Sequence, residues 1–225
     1  MNQTCLDTVQ GRGTLSAEPI VFLPGWGFSG GVFALYPGQE PWIAPGAPLD
    51  MWDALSCLGN FLKSRGAMRV RLVGWSMGAH LALDFAGRFP EKVAALSLLA
   101  MRSAWPAEEI EAIRAGLAAD PHVFLRDFYR KCFLGYRDAY RRFVAEQQDG
   151  LLAALDLSRL GQGLDYLAAW QLPAEGPHCP VTLWQGRKDI IAPPAERAII
   201  SGARHRILEH AGHALFLDKE FDALD

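Results

Sequence analysis

The feature that most constrains this chain is a serine between two glycines, where an apolar strand-like run gives way to a helix-like run. It lies in RLVGWSMGAH, residues 71–80, and reads Gly74-Trp75-Ser76-Met77-Gly78. In a sharp strand-to-helix turn the serine hydroxyl projects out of the sheet. Side chains two positions to either side would collide there, so glycines are used. The alternative is a tight turn in which Ser76 caps the helix.

The hydrophobic pattern around this turn predicts an α/β fold. Strands are expected in EPIVFLPGW, MRVRLVGWS, KVAALSLLAM, CPVTLWQGRKD and ARHRILEHAGH, and helices in PLDMWDALSCLGNFLKSRG, MGAHLALDFAGRFP and PPAERAIISG. Asp50 is expected to cap the first helix and Gly66 to end it. The third strand is apolar on both faces, as in a mostly parallel sheet flanked by helices.

Between the third and fourth of these strands the pattern changes. Strand-like runs vanish, and four helix-like segments follow one another: AEEIEAIRAGL, PHVFLRDFYRKCF, YRDAYRRFVAEQQ and LLAALDLSRLGQGLDYLAAW. This block is long for a plain crossover between parallel strands. We therefore predict a core of residues 1–103 and 172–225, interrupted by a helical lid insertion of residues 104–171.

Composition narrows the function classes. The chain has 225 residues, half of them hydrophobic, and a formal charge of −3, so no global field favours nucleic acid or an anionic membrane. We expect no membrane span and, with no secretory signal pattern, a cytoplasmic protein. The four cysteines show no CxxC spacing and are expected to be free thiols. Their spacing gives no support to a metal site.

A serine hydroxyl needs a base to become a nucleophile, and the base needs an orienting carboxylate. Downstream of Ser76, Asp189 follows a strand in a loop with Gly186, and His213 follows Gly212 past the last strand. Both lie at carboxyl ends of strands, where open α/β sheets place their sites. His210 is the nearest rival base and stays open. The weaker rivals are His80, His122, His178, His205, Asp84, Asp156 and Asp165.

The glycine-rich loop FLPGWGFSGG follows the first strong strand. A site for acyl transfer needs backbone N–H groups that stabilise the developing oxyanion. We expect one from Met77, directly after the serine, and a second from Trp26, between Gly25 and Gly27. The alternative is a turn in which Trp26 anchors the core, and both interpretations are compatible.

With PGWG, GWSMG, GRKD and AGHALF in this order, the chain resembles the α/β-hydrolase superfamily. Within it, the chain resembles the pimeloyl-[acyl-carrier protein] methyl ester esterases of biotin synthesis, through the tryptophan of GWG, the tryptophan before the serine and the helical lid. The resemblance implies the same catalytic set, Ser76, Asp189 and His213, with Trp26 and Met77 as backbone donors. One departure is Pro24, which stands where relatives usually have histidine.

The segment RDFYRKCFLGYRDAYRRF, residues 126–143, carries six basic and two acidic side chains. Arg126 with Arg130, and Arg137 with Arg141, are spaced to share helix faces. A solvated helix face is one interpretation. The other is a binding surface for an acidic partner, which suits an acyl-carrier protein and the family that the chain resembles.

We expect an apolar pocket for an aliphatic chain beside the serine. Its candidate substrate-binding residues are Trp26, Phe28, Trp75 and Phe128. The resulting hypothesis is a serine esterase that works through an acyl-enzyme, without a metal or organic cofactor, on an acyl ester carried on acyl-carrier protein. The alternatives are a generic short-chain carboxylesterase or thioesterase, a haloperoxidase-like or C–C hydrolase that shares the triad, and a non-catalytic binding module on the same fold.

Overall fold

The computed structural model describes residues 9–13, 18–46, 53–64, 66 and 68–225. Its centre is a seven-stranded sheet in the order β1-β3-β2-β4-β5-β6-β7. Neighbouring strands are parallel, except that β1 and β3 are antiparallel. The strands are β1 (Val9–Arg12), β2 (Ile20–Leu23), β3 (Trp42–Pro45), β4 (Val70–Trp75), β5 (Val93–Leu99), β6 (Val181–Gly186) and β7 (Arg204–Leu208). The expected mostly parallel α/β sheet is confirmed.

Two helices belong to the sheet region and five lie between β5 and β6. They are α1 (Ala54–Ser64), α2 (Met77–Arg88), α3 (Ala107–Ala119), α4 (Pro121–Cys132), α5 (Arg137–Phe143), α6 (Asp149–Ala153) and α7 (Leu157–Ala169). A π-helical segment, Val144–Gln148, joins α5 to α6. The pattern had predicted one helix across residues 151–170, but the chain breaks there, and Asp156 caps α7 by accepting from the Arg159 N–H at 3.1 Å.

The sheet is buried on both faces, because side chains along a strand alternate in direction. In β2, Ile20 and Phe22 pack into the cluster that includes the α3–α7 helices, whereas Val21 and Leu23 pack against α1 and α2. This accounts for the continuous apolar runs of the central strands. No helix among the described residues is both long and apolar enough to cross a bilayer.

The last helix before β6 is tied to the core through Asp84 on α2. The Tyr166 hydroxyl donates to one oxygen of the Asp84 carboxylate at 2.6 Å, and Trp170 Nε1 donates to the other at 3.0 Å. Burial raises the pKa of Asp84, and the two hydrogen bonds oppose that rise. Asp84 therefore serves as an anchor between α2 and α7.

Two local expectations are wrong, and a third falls outside the described residues. The helix expected in PPAERAIISG is wrong: only Pro194–Glu196 forms a 3-10 turn, and the chain then runs beside the end of β5, where the Ala198 N–H donates to the Met101 carbonyl at 2.9 Å. The expectation of four free thiols is wrong at Cys57, which is disulfide-bonded, while Cys132 and Cys179 are free. Spacing along the chain does not report proximity in space. Cys5 and the proposed cap Asp50 lie outside the described residues.

The contact between α2 and β2 makes a prediction about stability. A Cβ atom at Gly78 would lie 2.2 Å from the Leu23 carbonyl oxygen, so Gly78→Ala forces two backbones apart. We expect it to lower the free energy of unfolding by about 3 kcal/mol or more in urea denaturation. Gly87→Ala, on the same helix, is the control. A Cβ there meets nothing within 4 Å, so this variant should be neutral or stabilising by up to about 1 kcal/mol. Equal stabilities for the two variants would contradict the packing described here.

Candidate active site

Ser76 lies between β4 and α2 in a backbone conformation that few residues other than glycine adopt. Its φ is 55° and its ψ is −120°, and its N–H donates to the Leu99 carbonyl at 2.8 Å. The side chain makes no capping hydrogen bond to the helix. The helix-cap interpretation of Ser76 therefore fails, and its hydroxyl stays available for another use.

The flanking glycines allow this conformation. A Cβ at Gly74 would lie 2.3 Å from the Gly78 carbonyl oxygen and 2.5 Å from the Ala79 Cα. A Cβ at Gly78 would strike the Leu23 carbonyl on β2. Both positions therefore require glycine, for the steric reason that the motif predicted.

Asp189 and His213 meet in the buried interior near the carboxyl end of β6. His213 Nδ1 lies 2.9 Å from Asp189 Oδ2, and both side chains are almost wholly buried. Asp189 Oδ1 accepts from the N–H groups of Ile191 and Ala192, each at 2.8 Å. Because an ionised carboxylate only accepts, Nδ1 carries the proton and Nε2 is left as the acceptor. The pair has the arrangement of a base and its orienting carboxylate.

Trp75 connects the serine turn to the histidine loop. Trp75 Nε1 donates to the His213 carbonyl at 2.8 Å, and the two rings pack with centroids 5.4 Å apart. Trp75 directly precedes Ser76 in the chain, so one side chain fixes the loop of His213 relative to Ser76. The structure thus pairs Asp189 with His213 and links their loop, through Trp75, to the turn that carries Ser76.

The other histidines and aspartates weighed as base or orienting carboxylate are exposed or have other partners. His210, His122, His178 and His205 are exposed. Asp84 and Asp156 hold α7 as described above, and Asp165 forms an ion pair with Arg114 at 2.6 Å. The hydrogen bond to Asp189 belongs to His213, which favours His213 over His210 as the base.

The two candidate oxyanion donors lie on backbone segments that adjoin Ser76. Met77 is the first residue of α2, where a backbone N–H has no acceptor within its helix. The loop of Trp26 packs on the serine, since a Cβ at Gly25 would lie 3.2 Å from Ser76 Cβ. The Trp26 side chain points away to α7, where Nε1 donates to the Leu160 carbonyl at 2.9 Å. The ring of Trp26 is therefore engaged on α7.

A cavity of about 260 Å³ lies beside Ser76, between the sheet and the α3, α4 and α7 helices. Its wall is mostly apolar, and includes Trp26, Ile113, Phe124, Phe128, Leu164 and Ile191. Charged side chains also line it, namely Glu109 of α3 and both Asp127 and Lys131 of α4. The cavity suits an aliphatic chain whose reacting end lies at Ser76.

Two of the four residues expected to bind substrate are placed elsewhere. Trp26 and Phe128 line the cavity, with ring centroids 5.2 Å apart. Phe28 and Trp75 instead pack against each other in the core, with centroids 4.9 Å apart, and are almost fully buried. Both are therefore core residues. The strand end that carries Ser76 turns Trp75 inward, and Phe28 packs against it there.

The basic residues of α4 and α5 are exposed, but most of them are paired. Arg130 and Lys131 share Asp127 at 2.6 and 2.8 Å, Arg141 contacts Asp138 at 3.3 Å, and Arg126 lies 3.8 Å from Asp149. Exposed pairs of this kind are weak and can exchange partners. Among the described residues, Arg137 forms no ion pair. The surface is less positive than the segment alone suggests, because acidic residues beyond it, Glu146 and Asp149, join the pairing.

Arg102, which follows β5 at the same edge of the sheet, was not among the residues that the sequence motifs identified. It is 1% exposed and donates to both oxygens of Glu109 on α3, at 2.7 and 3.0 Å, and to the Ile191 carbonyl at 3.2 Å. It also pairs with Glu196 and lies 4.4 Å from the ring of Trp105. Its place at a strand end is the signal that could have identified it.

His80, weighed earlier as a rival base, proves to be a buried support of the serine turn. Nδ1 lies 3.0 Å from the Ser76 carbonyl oxygen, and Nε2 lies 3.2 Å from the Arg102 carbonyl oxygen. A neutral imidazole carries one N–H, so it can donate to only one of these carbonyls. Burial nevertheless lowers the pKa of His80 to about 4, so the ring is neutral at pH 7.

Similarity to known proteins agrees with this geometry. A family model described as alpha/beta hydrolase family matches residues 20–224. Two relatives named pimeloyl-[acyl-carrier protein] methyl ester esterase are similar in sequence. The relative from Aromatoleum aromaticum is 33% identical, over 66% of this chain and 68% of its own length. The relative from Chromobacterium violaceum is 29% identical, over 93% of this chain and 92% of its own length.

Solved structures share the fold at low identity. An esterase from Exiguobacterium antarcticum superposes with a TM-score of 0.75 at 20% identity, covering 93% of this chain and 89% of its own. A bromoperoxidase from Bacillus anthracis gives 0.74 at 16% identity, covering 92% and 88%. These neighbours show that this chain shares their fold. At this level of identity they do not indicate its reaction.

The buried His80 predicts a pH dependence of stability. Its pKa is about 4 in the folded protein and about 6.5 in the unfolded chain, so the unfolded chain takes up the proton first. The stability that neutral His80 confers is present above pH 6.5 and is lost as the pH falls towards 4. The loss is about 3 kcal/mol.

The measurement is urea denaturation between pH 7 and pH 4 for the wild type, His80→Gln and His205→Gln. The wild type and the exposed-site control His205→Gln should lose stability in parallel. His80→Gln should lose less over the same range, because it lacks the titrating ring. Three parallel curves would show that His80 is not the group responsible.

Proposed function

The chain belongs to the alpha/beta hydrolase family, and within that family we propose that it is a serine carboxylic-ester hydrolase acting through an acyl-enzyme. The observation that carries the proposal is the buried Asp189–His213 pair, linked through Trp75 to the strained backbone of Ser76. This set supplies a nucleophile, a base and an orienting carboxylate. Both relatives are named as ester hydrolases, in agreement with the proposed reaction class.

In the first half of the reaction, Ser76 Oγ attacks the ester carbonyl while its proton passes to His213 Nε2. The carbonyl oxygen becomes an oxyanion, which the N–H groups of Trp26 and Met77 stabilise. Asp189 holds the imidazolium in place through Nδ1. The C–O bond to the alcohol then breaks, the alcohol leaves with the proton from Nε2, and the acyl group remains on Ser76.

In the second half, water attacks the acyl-enzyme. His213 Nε2 takes a proton from the water, and a second oxyanion forms in the same position. The bond to Ser76 Oγ then breaks, and Oγ regains its proton from Nε2. The acid is released and the enzyme returns to its starting state.

The preferred substrate that we propose is the methyl ester of a pimeloyl thioester on acyl-carrier protein, cleaved to methanol and the free acid with the thioester intact. The names of the relatives support this choice. The long apolar wall of the cavity supports an aliphatic chain, and the cavity opens among helices of residues 104–171, which we propose act as a lid.

The exposed basic residues of α4 and α5 support docking of an acidic carrier protein. Arg126, Arg130, Arg137 and Arg141 lie on the two helices that follow α3, and Lys131 lines the cavity itself. Their weak pairs with surface carboxylates can be exchanged for carboxylates of a partner. An acyl chain carried by such a partner would reach Ser76 through the cavity.

The nucleophile is tested by hydrolysis of a p-nitrophenyl acyl ester series. Ser76→Ala should lower kcat by about 10⁴-fold or more, because the oxyanion donors and binding alone leave only residual catalysis. The exposed Ser103→Ala is the matched control and should retain full activity. Turnover that survives in Ser76→Ala would point to a different nucleophile, and absence of turnover in the wild type would favour a binding module.

The carrier-protein assignment is tested with pimeloyl-carrier-protein methyl ester. Arg137→Glu should raise KM for this substrate by about tenfold, because it replaces an attraction by a repulsion, and should leave p-nitrophenyl acetate hydrolysis unchanged. Arg69→Glu, another exposed arginine, located before β4, is the control and should affect neither substrate. Equal KM values for the two variants would favour a generic carboxylesterase or thioesterase.

A further inference from the structure

The turn between α4 and α5, residues 132–136, lies directly against the loop that carries His213. The Ala214 N–H donates to the Cys132 carbonyl at 3.1 Å. On the other side of the histidine, a Cβ at Gly212 would lie 2.4 Å from the Leu134 carbonyl oxygen. The backbone of this turn therefore touches the residue before His213 and the residue after it.

Tyr136 adds a side-chain contact to the same loop. Its hydroxyl donates to Asp218 Oδ2 at 3.4 Å, and it also lies near the Gly212 backbone amide. Burial and the neighbouring Asp218 raise the pKa of Tyr136, so the hydroxyl keeps its proton and remains a donor. One phenol thus reaches both ends of the segment that contains His213.

The turn between α4 and α5 is itself held in place by burial, ring packing and a glycine conformation. Cys132 is fully buried, and the ring of Phe133 stacks on that of Phe143 with centroids 5.0 Å apart. Gly135 has a φ of +94°, which sets the reversal of the chain between α4 and α5. A turn fixed by burial, stacking and a glycine conformation can hold the loop that packs against it.

The histidine loop needs such a support. Gly212 has no side chain, so rotation about its backbone would swing the His213 ring away from Ser76. A displacement of about 1 Å at a reacting group can cost about a hundredfold in rate. The Trp75 bond to the His213 carbonyl and the Lys188 N–H, which donates to the Ala211 carbonyl at 2.9 Å, restrain the loop from the core side, and the α4–α5 turn restrains it from the helical side.

We infer that Tyr136 is a positioning residue for His213, acting with the Cys132–Tyr136 turn to hold the base in line with Ser76. The inference rests on the proposed role of His213 as the base. It also means that the α4–α5 turn of the proposed lid is anchored to the loop of His213.

The test compares Tyr136→Phe with Tyr140→Phe. Tyr140 is a neighbouring tyrosine whose ring packs on Phe133 at 5.8 Å, and among the described residues its hydroxyl makes no contact with the histidine loop. We expect Tyr136→Phe to lower kcat for p-nitrophenyl acetate by about tenfold with KM unchanged, while Tyr140→Phe behaves as the wild type. The melting temperatures of the two variants should agree, which separates positioning from stability.

A second readout follows the base directly and needs no turnover. The far-downfield proton resonance of His213 Nδ1–H reports its hydrogen bond to Asp189. We expect this resonance to broaden or shift upfield in Tyr136→Phe and to stay unchanged in Tyr140→Phe. An unchanged resonance and an unchanged kcat in Tyr136→Phe would overturn the inference. A wild type without Ser76-dependent turnover would instead overturn the proposed function, and the resonance would still test whether Tyr136 positions the ring.

Discussion

The close backbone approach around Ser76 is the constraint on which the rest of the structure depends. A non-glycine residue at φ 55° is strained by about 1–3 kcal/mol, and the surroundings must hold it there. They do so through the Leu99 carbonyl, the His80 ring and two glycines that let α2 touch β2 and β4. The sheet, the first helix after the serine and Ser76 itself are therefore one packing unit.

The second requirement of the site is a buried charge that is fully compensated. Asp189 accepts two backbone N–H groups and the imidazole N–H, so its carboxylate is stable away from water. Arg102 carries a buried positive charge at the neighbouring strand end, where it pairs with Glu109 and ties α3 to the Ile191 carbonyl, two residues after Asp189. The helices over the cavity are thereby connected to the proposed catalytic groups at two places, through Arg102 and through the α4–α5 turn.

The sequence predicted those parts of the molecule that obey local rules. The serine turn could be located because its glycines mark positions where backbones come close. Asp189 and His213 could be located because parallel strands place their carboxyl ends at one edge of the sheet. The chain could not reveal that Phe28 and Trp75 face the core, since both are aromatic residues beside the site whichever way they point. Strands β1 and β3 were missed because β1, of sequence VQGR, has no apolar run and β3, of sequence WIAP, ends in proline. The partners of the arginines on α4 and α5, and the contact of Tyr136 with the histidine loop, depend on tertiary packing that no local pattern records.

The central claim is that Ser76 is a nucleophile activated by His213. The most direct measurement is reaction of the protein with a fluorophosphonate, which phosphonylates activated serines, followed by intact-mass and peptide mass spectrometry. The account predicts a single adduct on the peptide that contains Ser76, absent in Ser76→Ala and formed far more slowly in His213→Ala. An adduct on a different serine, or labelling that does not depend on His213, would contradict it.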